Sequence, residues 1–458
     1  MTRAEGPQPL VALAGLPTGG VDRLTRPFAR FLRIEAIGAA LLLVVTLGAV
    51  AVANSSWGPS FSRLWEIPFS VQVGAYGLTR TLRSLINEGL MTLFFFLLAL
   101  ELKRELVLGE LKNPRIAALS IAGAMGGMFV PAVIYLVLMS GRPGAPAWGM
   151  VVSTDTAFVI GALALLGKRV PQSLRLFMLS VTVVDDLGSI FVVALGYSDE
   201  IAWTPLALAV GGVAVIFAMS RMGFRGFPAY VLMGSLAWLA ADASGIQPTV
   251  TGMVLGLLTP ARRWVDDQRL YAILAQVVAH PSGGEGSEDT EDRRTLQVAE
   301  VAAREALSPL ERLEIMLHPW VGFVVLPLFA LANAGFALSS GDLRSTLFSA
   351  VFVSFTVGKP LGVVAFSWLA LRSGIAIRPP DLGWRLLVGG GMLAGIGFTM
   401  PLFIADLALA TDLIGTAKLS VLLASTTSAV VGLSVLVSST SRRREARNGS
   451  RPARTGPP

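Results

Sequence analysis

Hydrophobic residues recur along the chain in runs of about 20, the length that an α-helix needs to cross a bilayer. Short polar or Gly/Pro-containing segments separate these runs. The pattern predicts about twelve transmembrane helices, at 33–54, 84–106, 116–140, 147–166, 173–197, 203–221, 227–243, 247–259, 315–338, 345–371, 384–409 and 414–438. We therefore expect an all-α polytopic membrane protein, with a transmembrane domain at 33–438 between basic tails at 1–32 and 439–458.

Two connections are long enough to hold structure of their own. Residues 55–82 contain "EIPFSVQVGAYGLT", whose alternating apolar positions around a glycine predict a small β-hairpin outside the membrane. Residues 262–312 form a loop whose polar stretch "HPSGGEGSEDTEDRR" predicts a flexible acidic insert at 281–294. The helical spacing in "TLQVAEVAAREALSPLERLEIML" then predicts an interfacial helix that leads into the ninth span.

Composition supports the membrane class and narrows the chemistry. Of the 458 residues 53% are hydrophobic and 15% are charged, whereas soluble domains average about 25% charged. There is no cysteine and there are only two histidines, His280 and His318, so thiolate and multi-histidine metal centres are not expected. We expect no cofactor.

The net charge of +7 raises the question of a nucleic-acid partner. Lys and Arg are, however, concentrated in the two tails and mostly in the connections after even-numbered helices, as in cytoplasmic loops. The charge therefore predicts orientation rather than nucleic-acid binding. Both termini are expected in the cytoplasm, with the protein in the cell (inner) membrane.

Four ionisable residues fall in the middle of predicted spans: Asp155, Asp185, Asp186 and Lys359. Each costs ~2.5–3.5 kcal/mol at the centre of a helix on insertion scales. A buried ion pair that fixes helix packing is one explanation, but three acids and one base leave carboxylates over. Those carboxylates need a proton or a cation, so the set predicts a functional site.

Asp185 and Asp186 are adjacent, so on an α-helix their side chains diverge by about 100°. One can reach Lys359 while the other faces water. The two carboxylates would titrate as a coupled unit. Such a site holds protons at low pH and a small cation at higher pH, and this competition is sufficient for exchange if access to the site alternates.

Two segments favour interrupted helices. "STDT" (153–156) places hydroxyls and Asp155 in mid-span, and "VGGGMLAGIGFTMP" (388–401) ends in Pro401, which cannot donate to the carbonyl of Gly397. Glycine-rich spans also serve as packing faces. If the two interruptions cross, Asp155 would offset two positive helix N-termini and Lys359 two negative C-termini. Their corresponding places in the two halves of the chain suggest inverted repeats.

Together, "FFFLLALELKREL", "STDTAFVIGALALLG", "VVDDLGSI", "HPWVGFVVLPLFALANAG", "GKPLG" and "GIGFTM" resemble the NhaA-type sodium/proton antiporters, from about Ile37 to Leu436. The resemblance implies twelve helices, of which the fourth and eleventh are interrupted and cross. It implies electrogenic exchange of cytoplasmic Na⁺ or Li⁺ for external H⁺, serving pH and sodium homeostasis. It further implies a homodimer formed through the outer hairpin, here 67–78.

By the same resemblance, Asp185 and Asp186 bind the cation and the protons. Asp155 and Lys359 are the charges that face the interrupted helices, Lys359 also pairs with Asp185, and Thr154 lies beside the site. A pH-responsive cluster at the cytoplasmic end would comprise Glu101, Lys103, Arg104, Glu105, Glu314 and His318. Ordinary interfacial charge is the alternative explanation of this cluster.

The chain departs from the family pattern at three positions. Gln247 replaces a frequent histidine, Pro401 replaces a small residue, and Asp406 adds an acid near the outer end of the eleventh helix. The first two bear on pH regulation and on the geometry of the break. None of the three alters the carboxylate pair.

Two other functions compete with antiport. A sodium-coupled symporter of an organic solute on a related fold would use the same charges. An intramembrane aspartyl protease needs two carboxylates that converge on one water from separate segments. Adjacent aspartates diverge, and Asp155 lacks the Gly-x-Gly-Asp signature of such proteases.

Overall fold

The computed structural model describes residues 35–73, 76–108, 114–197, 201–222, 227–261, 307–336 and 342–449, together with residue 298. The predicted tail at 1–32 and the predicted insert at 281–294 lie outside the described residues, as does nearly all of the predicted loop 262–312. The described chain is mostly helical, as the hydrophobic runs predict.

The first part of the chain forms four helices, two strands and a 3₁₀-helix in the described residues. They are α1 (Glu35–Ala53), α2 (Gly58–Trp65), β1 (Pro68–Val73), β2 (Tyr76–Thr81), α3 (Leu82–Ser84, Leu85–Leu90 and Met91–Leu108), α4 (Pro114–Leu138) and a 3₁₀-helix (Ala145–Val151). Next come α5 (Thr156–Leu165), α6 (Gln172–Gly196), α7 (Trp203–Arg221), α8 (Phe227–Ala243) and α9 (Thr249–Leu258).

The second part begins at a capping box, in which Ser308 and Glu311 bond each other's backbone N–H groups and start α10. The helices are α10 (Pro309–Trp320, Val321–Val325 and Leu326–Asn333), α11 (Thr346–Val353, Ser354–Gly358 and Lys359–Arg372), α12 (Trp384–Ala394), α13 (Thr399–Ala408) and α14 (Thr411–Gly449). The last helix continues beyond the predicted end at 438. Short 3₁₀ turns lie at Gly167–Arg169 and Asp342–Arg344.

Eight segments of the described chain are long and apolar enough to cross a membrane, and up to ten if each of two bent helix pairs is one span. The pairs are α1 with α2, bent by 117°, and α12 with α13, bent by 44°. Helices α8 and α9 are shorter, with 17 and 10 residues. The predicted twelve spans and the inverted repeat stay predictions.

The strands β1 and β2 pair antiparallel, from Pro68 opposite Thr81 to Val73 opposite Tyr76. Arg80 of β2 donates to both carboxylate oxygens of Asp242 at 2.6 and 2.8 Å, which fixes the strand to the C-terminal end of α8. We call the end of the helix bundle at which these strands lie the hairpin end. Pairing of two protein copies through the strands stays a prediction.

Three of the described helices contain a π-helical segment, at Leu85–Leu90 in α3, Val321–Val325 in α10 and Ser354–Gly358 in α11. A π turn holds an extra residue and changes the direction of the side chains that follow. The segment in α11 ends directly before Lys359. It therefore helps to set the face of α11 from which that lysine projects.

Helices α4 and α11 touch through their backbones. A Cβ atom on Gly126 of α4 would lie 2.1 Å from the carbonyl oxygen of Gly362, and a Cβ on Gly362 would lie 2.0 Å from that of Gly126. No side chain fits at either position, so glycine is required by the close approach of the helices rather than by backbone conformation. Gly362 is three residues after Lys359, so this contact lies beside the predicted site.

Candidate functional site

The two interruptions predicted from the sequence lie against each other. Residues 153–155 are non-helical and join the 3₁₀-helix to α5, and residues 396–398 are non-helical and join α12 to α13. The N–H of Asp155 donates to the carbonyl of Ile396 at 2.8 Å, which links them directly. Two details differ from the prediction: the half before the first break is a 3₁₀-helix, and most of the glycine run stays helical in α12.

Asp155 lies at the N-terminal ends of two helices. It is the N-cap of α5, where its carboxylate accepts from the N–H of Phe158 at 3.4 Å. The same carboxylate accepts from the N–H and the hydroxyl of Thr399, the first residue of α13, at 3.0 and 2.8 Å. Because helix N-termini present unpaired N–H groups and partial positive charge, one buried anion satisfies both.

Lys359 is fully buried beside the other end of the first break. Its ammonium donates to the carbonyl of Val152 at 2.6 Å, directly after the 3₁₀-helix, and to the hydroxyl of Thr154 at 2.7 Å. The third contact is to Oδ2 of Asp185 at 3.1 Å. An ammonium has three protons, so these three acceptors satisfy it completely.

Thr154 connects the lysine, the carboxylate pair and the second break. Its hydroxyl lies 2.7 Å from Oδ2 of Asp185 and 2.9 Å from the carbonyl of Ala394, the last residue of α12, and donates to one of them at a time. Oδ1 of Asp185 is buried and accepts no hydrogen bond from the described residues. A shift of the α12–α13 break would therefore change the hydrogen bonding of Asp185 through the Thr154 hydroxyl.

Asp186 has a different partner from Asp185. Its Oδ2 accepts from the hydroxyl of Thr156 at 2.7 Å. The side chain also lines a small cavity of about 10 Å³ between α3, α6 and α9. Leu98 and Ala99 of α3 and Met253 of α9 are among the other residues that line it. That volume suffices for about one water molecule. Asp186 is the one ionisable side chain among the described residues that line it.

The structure also brings together most of the predicted pH-responsive cluster. Arg104 of α3 pairs with Glu314 of α10 at 2.6 Å, and His318 Nε2 lies 3.8 Å from Oε1 of Glu101. Lys103 lies apart from these pairs and donates to the carbonyls of Leu257 and Thr259 at the end of α9, both at 2.7 Å. Glu105, like Glu314, is 8% exposed.

Sequence reasoning did not identify Lys418 as a buried charge. Lys418 of α14 is 3% exposed, pairs with Asp406 of α13 at 2.8 Å and donates to the carbonyl of Asn333 at 2.8 Å. Asn333 in turn exchanges two hydrogen bonds with Asn87 of α3. Asp406 could have indicated it, because an acid near the end of one span is stabilised by a base near the start of the next.

Thr156, Thr399 and Ser425 were also missed as contributors to the two breaks. Thr156 and Thr399 stand in the quoted motifs "STDT" and "GIGFTM", so their hydroxyls could have been named. Ser425 lies on α14 and donates to the carbonyl of Gly397 at 2.6 Å. Among the described residues, no group of three or more acidic or histidine side chains converges as in a metal centre.

The sequence is similar to those of known Na⁺/H⁺ antiporters along most of its length. Residues 29–436 match the family model described as Na⁺/H⁺ antiporter 1. An NhaA 2 antiporter of Acidiphilium cryptum is 55% identical over 421 residues, which cover 92% of this chain and 94% of the relative.

Two further relatives agree. An NhaA antiporter of Rhizobium meliloti is 54% identical over 94% of this chain and 99% of its own length. An NhaA 2 antiporter of Vibrio vulnificus is 51% identical over 92% and 94%. These identities extend over almost the whole transmembrane region. The chain therefore belongs to the Na⁺/H⁺ antiporter 1 family and, within it, to the NhaA type.

Proposed function

We propose that the protein exchanges Na⁺ or Li⁺ for H⁺ at Asp185 and Asp186, taking Na⁺ out of the cytoplasm and protons in. The observation that carries this proposal is that the two carboxylates have different surroundings. Asp185 is engaged by Lys359 and Thr154, whereas Asp186 has one hydroxyl partner and faces a cavity. A buried carboxylate without a basic partner must be neutralised by a proton or a cation.

Competition for Asp186 supplies the exchange. When a proton neutralises the carboxylate, Na⁺ has no net charge to bind, and when Na⁺ is bound the proton is displaced. Asp185 can take part as well. Its Oδ1 accepts no hydrogen bond from the described residues and can join the ligands of a cation while Oδ2 stays with Lys359. If each carboxylate exchanges a proton in the cycle, more protons than Na⁺ ions move and the exchange is electrogenic.

We propose that Asp155 and Lys359 compensate the charges of the two breaks. Asp155 accepts from N–H groups in the first turns of α5 and α13. Lys359 donates to the carbonyl of Val152 at the end of the 3₁₀-helix and, through Thr154, connects to the carbonyl of Ala394 at the end of α12. Without these charges four helix ends would meet in the membrane with unpaired backbone groups, each costly away from water. The compensation holds the breaks together while leaving them less rigid than continuous helices.

Orientation follows from the basic residues. Lys103 and Arg104 lie near the end of α3 that is opposite the hairpin end. We propose that this end faces the cytoplasm together with both termini, with the strands outside the inner membrane. Substrate Na⁺ would then reach Asp186 past α3 and α9, which line the cavity.

The test is a comparison of cations in proteoliposomes that contain the purified protein and a pH-sensitive dye. With a proton gradient in place and no other solute, Na⁺ and Li⁺ are expected to drive proton movement and K⁺ is not. Absence of a Na⁺ response would refute exchange. A Na⁺ response that requires an added organic solute would favour the symporter instead.

We further propose that the cluster of Glu101, Arg104, Glu314 and His318 adjusts exchange to pH. The cluster joins α3 to α10, and its α3 members Glu101 and Arg104 lie within two residues of Leu102, which lines the cavity beside Asp186. Breaking the Arg104–Glu314 pair would change the charge that faces the cytoplasmic end of this helix.

Arg104→Gln and Glu314→Gln are therefore each expected to move the pH midpoint of Na⁺-driven proton movement by about 1 unit. The double variant should add little, since both single changes break the same pair. Glu66→Gln, an exposed acid at the hairpin end, is the control. Midpoints that match the wild type in both single variants would leave the cluster as ordinary interfacial charge.

A further inference from the structure

The break between α12 and α13 leaves backbone groups that no helix satisfies. Pro401 has no N–H, so the carbonyl of Gly397 loses the donor that a continuing helix would supply. The N–H of Gly397 likewise has no place in either helix. In a membrane interior such groups need another partner, because no bulk water is present to replace the helix.

Most of the groups in this break are satisfied by the other break. The carbonyl of Ala394 faces the Thr154 hydroxyl, the carbonyl of Ile396 accepts from the Asp155 N–H, and the N–H of Thr399 donates to the Asp155 carboxylate. These contacts tie the breaks to each other. They do not tie the α12–α13 break to α14.

Ser425 of α14 supplies that tie. Its hydroxyl donates to the carbonyl of Gly397 at 2.6 Å and accepts from the N–H of the same residue at 3.2 Å. One side chain thus satisfies both backbone groups of the residue at the centre of the break. Ser425 is 8% exposed, so water does not compete for either bond.

The other hydroxyls of α14 behave differently. Most of them donate to a carbonyl three or four residues earlier in their own helix, the usual bond of a helical serine or threonine; these are Ser420, Thr426, Thr427, Ser434, Ser438 and Ser439. Ser425 is directed across to the break instead. One turn further along, Ser428 is buried, lies close to Gly395 and has no hydrogen-bond partner among the described residues.

We propose that Ser425 is a positioning residue for cation binding. It acts by fixing the position of the α12–α13 break along α14. This inference rests on the function proposed above for Asp185 and Asp186. Gly397 is next to Ile396 and two residues from Thr399, which hold Asp155. Through Ala394 and Thr154 the same break reaches Oδ2 of Asp185. Two hydrogen bonds from Ser425 of α14 therefore help to position the groups that bind Asp155 and Asp185.

The experiment compares Ser425→Ala with Ser428→Ala in proteoliposomes, since both remove one buried hydroxyl from the same helix. Ser425→Ala is expected to raise the Na⁺ concentration for half-maximal exchange about 5- to 10-fold and to move its pH midpoint. Ser428→Ala should stay within about twofold of the wild type. Ser425→Cys, whose thiol is a weak donor, should lie between them and provides a folded variant if alanine does not fold.

Equal half-saturation and pH midpoints in Ser425→Ala and Ser428→Ala would overturn the positioning role, whether both resemble the wild type or both are impaired. The wild type and Ser428→Ala report separately on the proposed function. If neither exchanges Na⁺ for H⁺, that function fails. The hydrogen bonds are then tested by thermal unfolding alone, where Ser425→Ala must melt below Ser428→Ala for the anchoring of the break to stand.

Discussion

Replacing Asp186 by asparagine is expected to reduce Na⁺-driven proton movement about 100-fold or more, since each tenfold loss reflects only about 1.4 kcal/mol. The amide keeps an oxygen that can accept from Thr156, so the local packing is preserved. What is lost is the charge that faces the cavity and the group that exchanges a proton. Asp185→Asn is expected to abolish exchange as well, with a larger loss of stability, because Lys359 then stays buried without its counter-charge.

The measurement is dye dequenching in everted vesicles, with thermal unfolding of each purified variant alongside. Asp412→Asn is the matched control, since Asp412 is an exposed acid in the first turn of α14. It should exchange Na⁺ at nearly the wild-type rate. Near-normal exchange in both Asp185→Asn and Asp186→Asn would rule out the carboxylate pair as the site.

Lys359→Ala is expected to lower the free energy of unfolding by about 3–5 kcal/mol, the usual effect of removing one partner of a buried ion pair. The change leaves Asp185 without its base and the carbonyl of Val152 without its donor. Exchange should fall with stability. Lys359→Arg keeps the positive charge beside the same acceptors and should therefore keep exchange.

Lys418→Ala separates these two effects. Lys418 is also buried and paired, but its partners Asp406 and Asn333 belong to the hairpin end. Its loss should lower stability by a comparable amount while the half-maximal Na⁺ concentration of the folded fraction stays unchanged. Wild-type stability and exchange in both Lys359→Ala and Lys359→Arg would refute charge compensation by Lys359.

The hydrophobic pattern located nearly every described helix, because burial in lipid leaves a strong signal in the sequence itself. The cost of intramembrane charge was equally informative, since it singled out Asp155, Asp185, Asp186 and Lys359 before any geometry was known. Family resemblance, rather than spacing, assigned Lys359 to Asp185. The structure then brings these two side chains to 3.1 Å.

Partners across the bundle could not be predicted in this way. Pro401 indicated that the carbonyl of Gly397 would be left over, but nothing near it in the sequence indicates that Ser425, 28 residues later, would bind it. Lys418 was missed because hydropathy places a lysine near a span end in the interface. The 3₁₀ form of Ala145–Val151 was missed because an apolar run has the same composition in either kind of helix.

The backbone contact between Gly126 and Gly362 has a mechanical consequence for the proposed exchange. Helices that meet carbonyl against Cα, with no side chains between them, have no flexible layer that would let one slide past the other. Lys359 is one turn from this contact, so its position depends on α4 as well as on its own helix. If access to the site changes from one side of the membrane to the other during exchange, we expect α4, α11 and Lys359 to move together as one rigid unit.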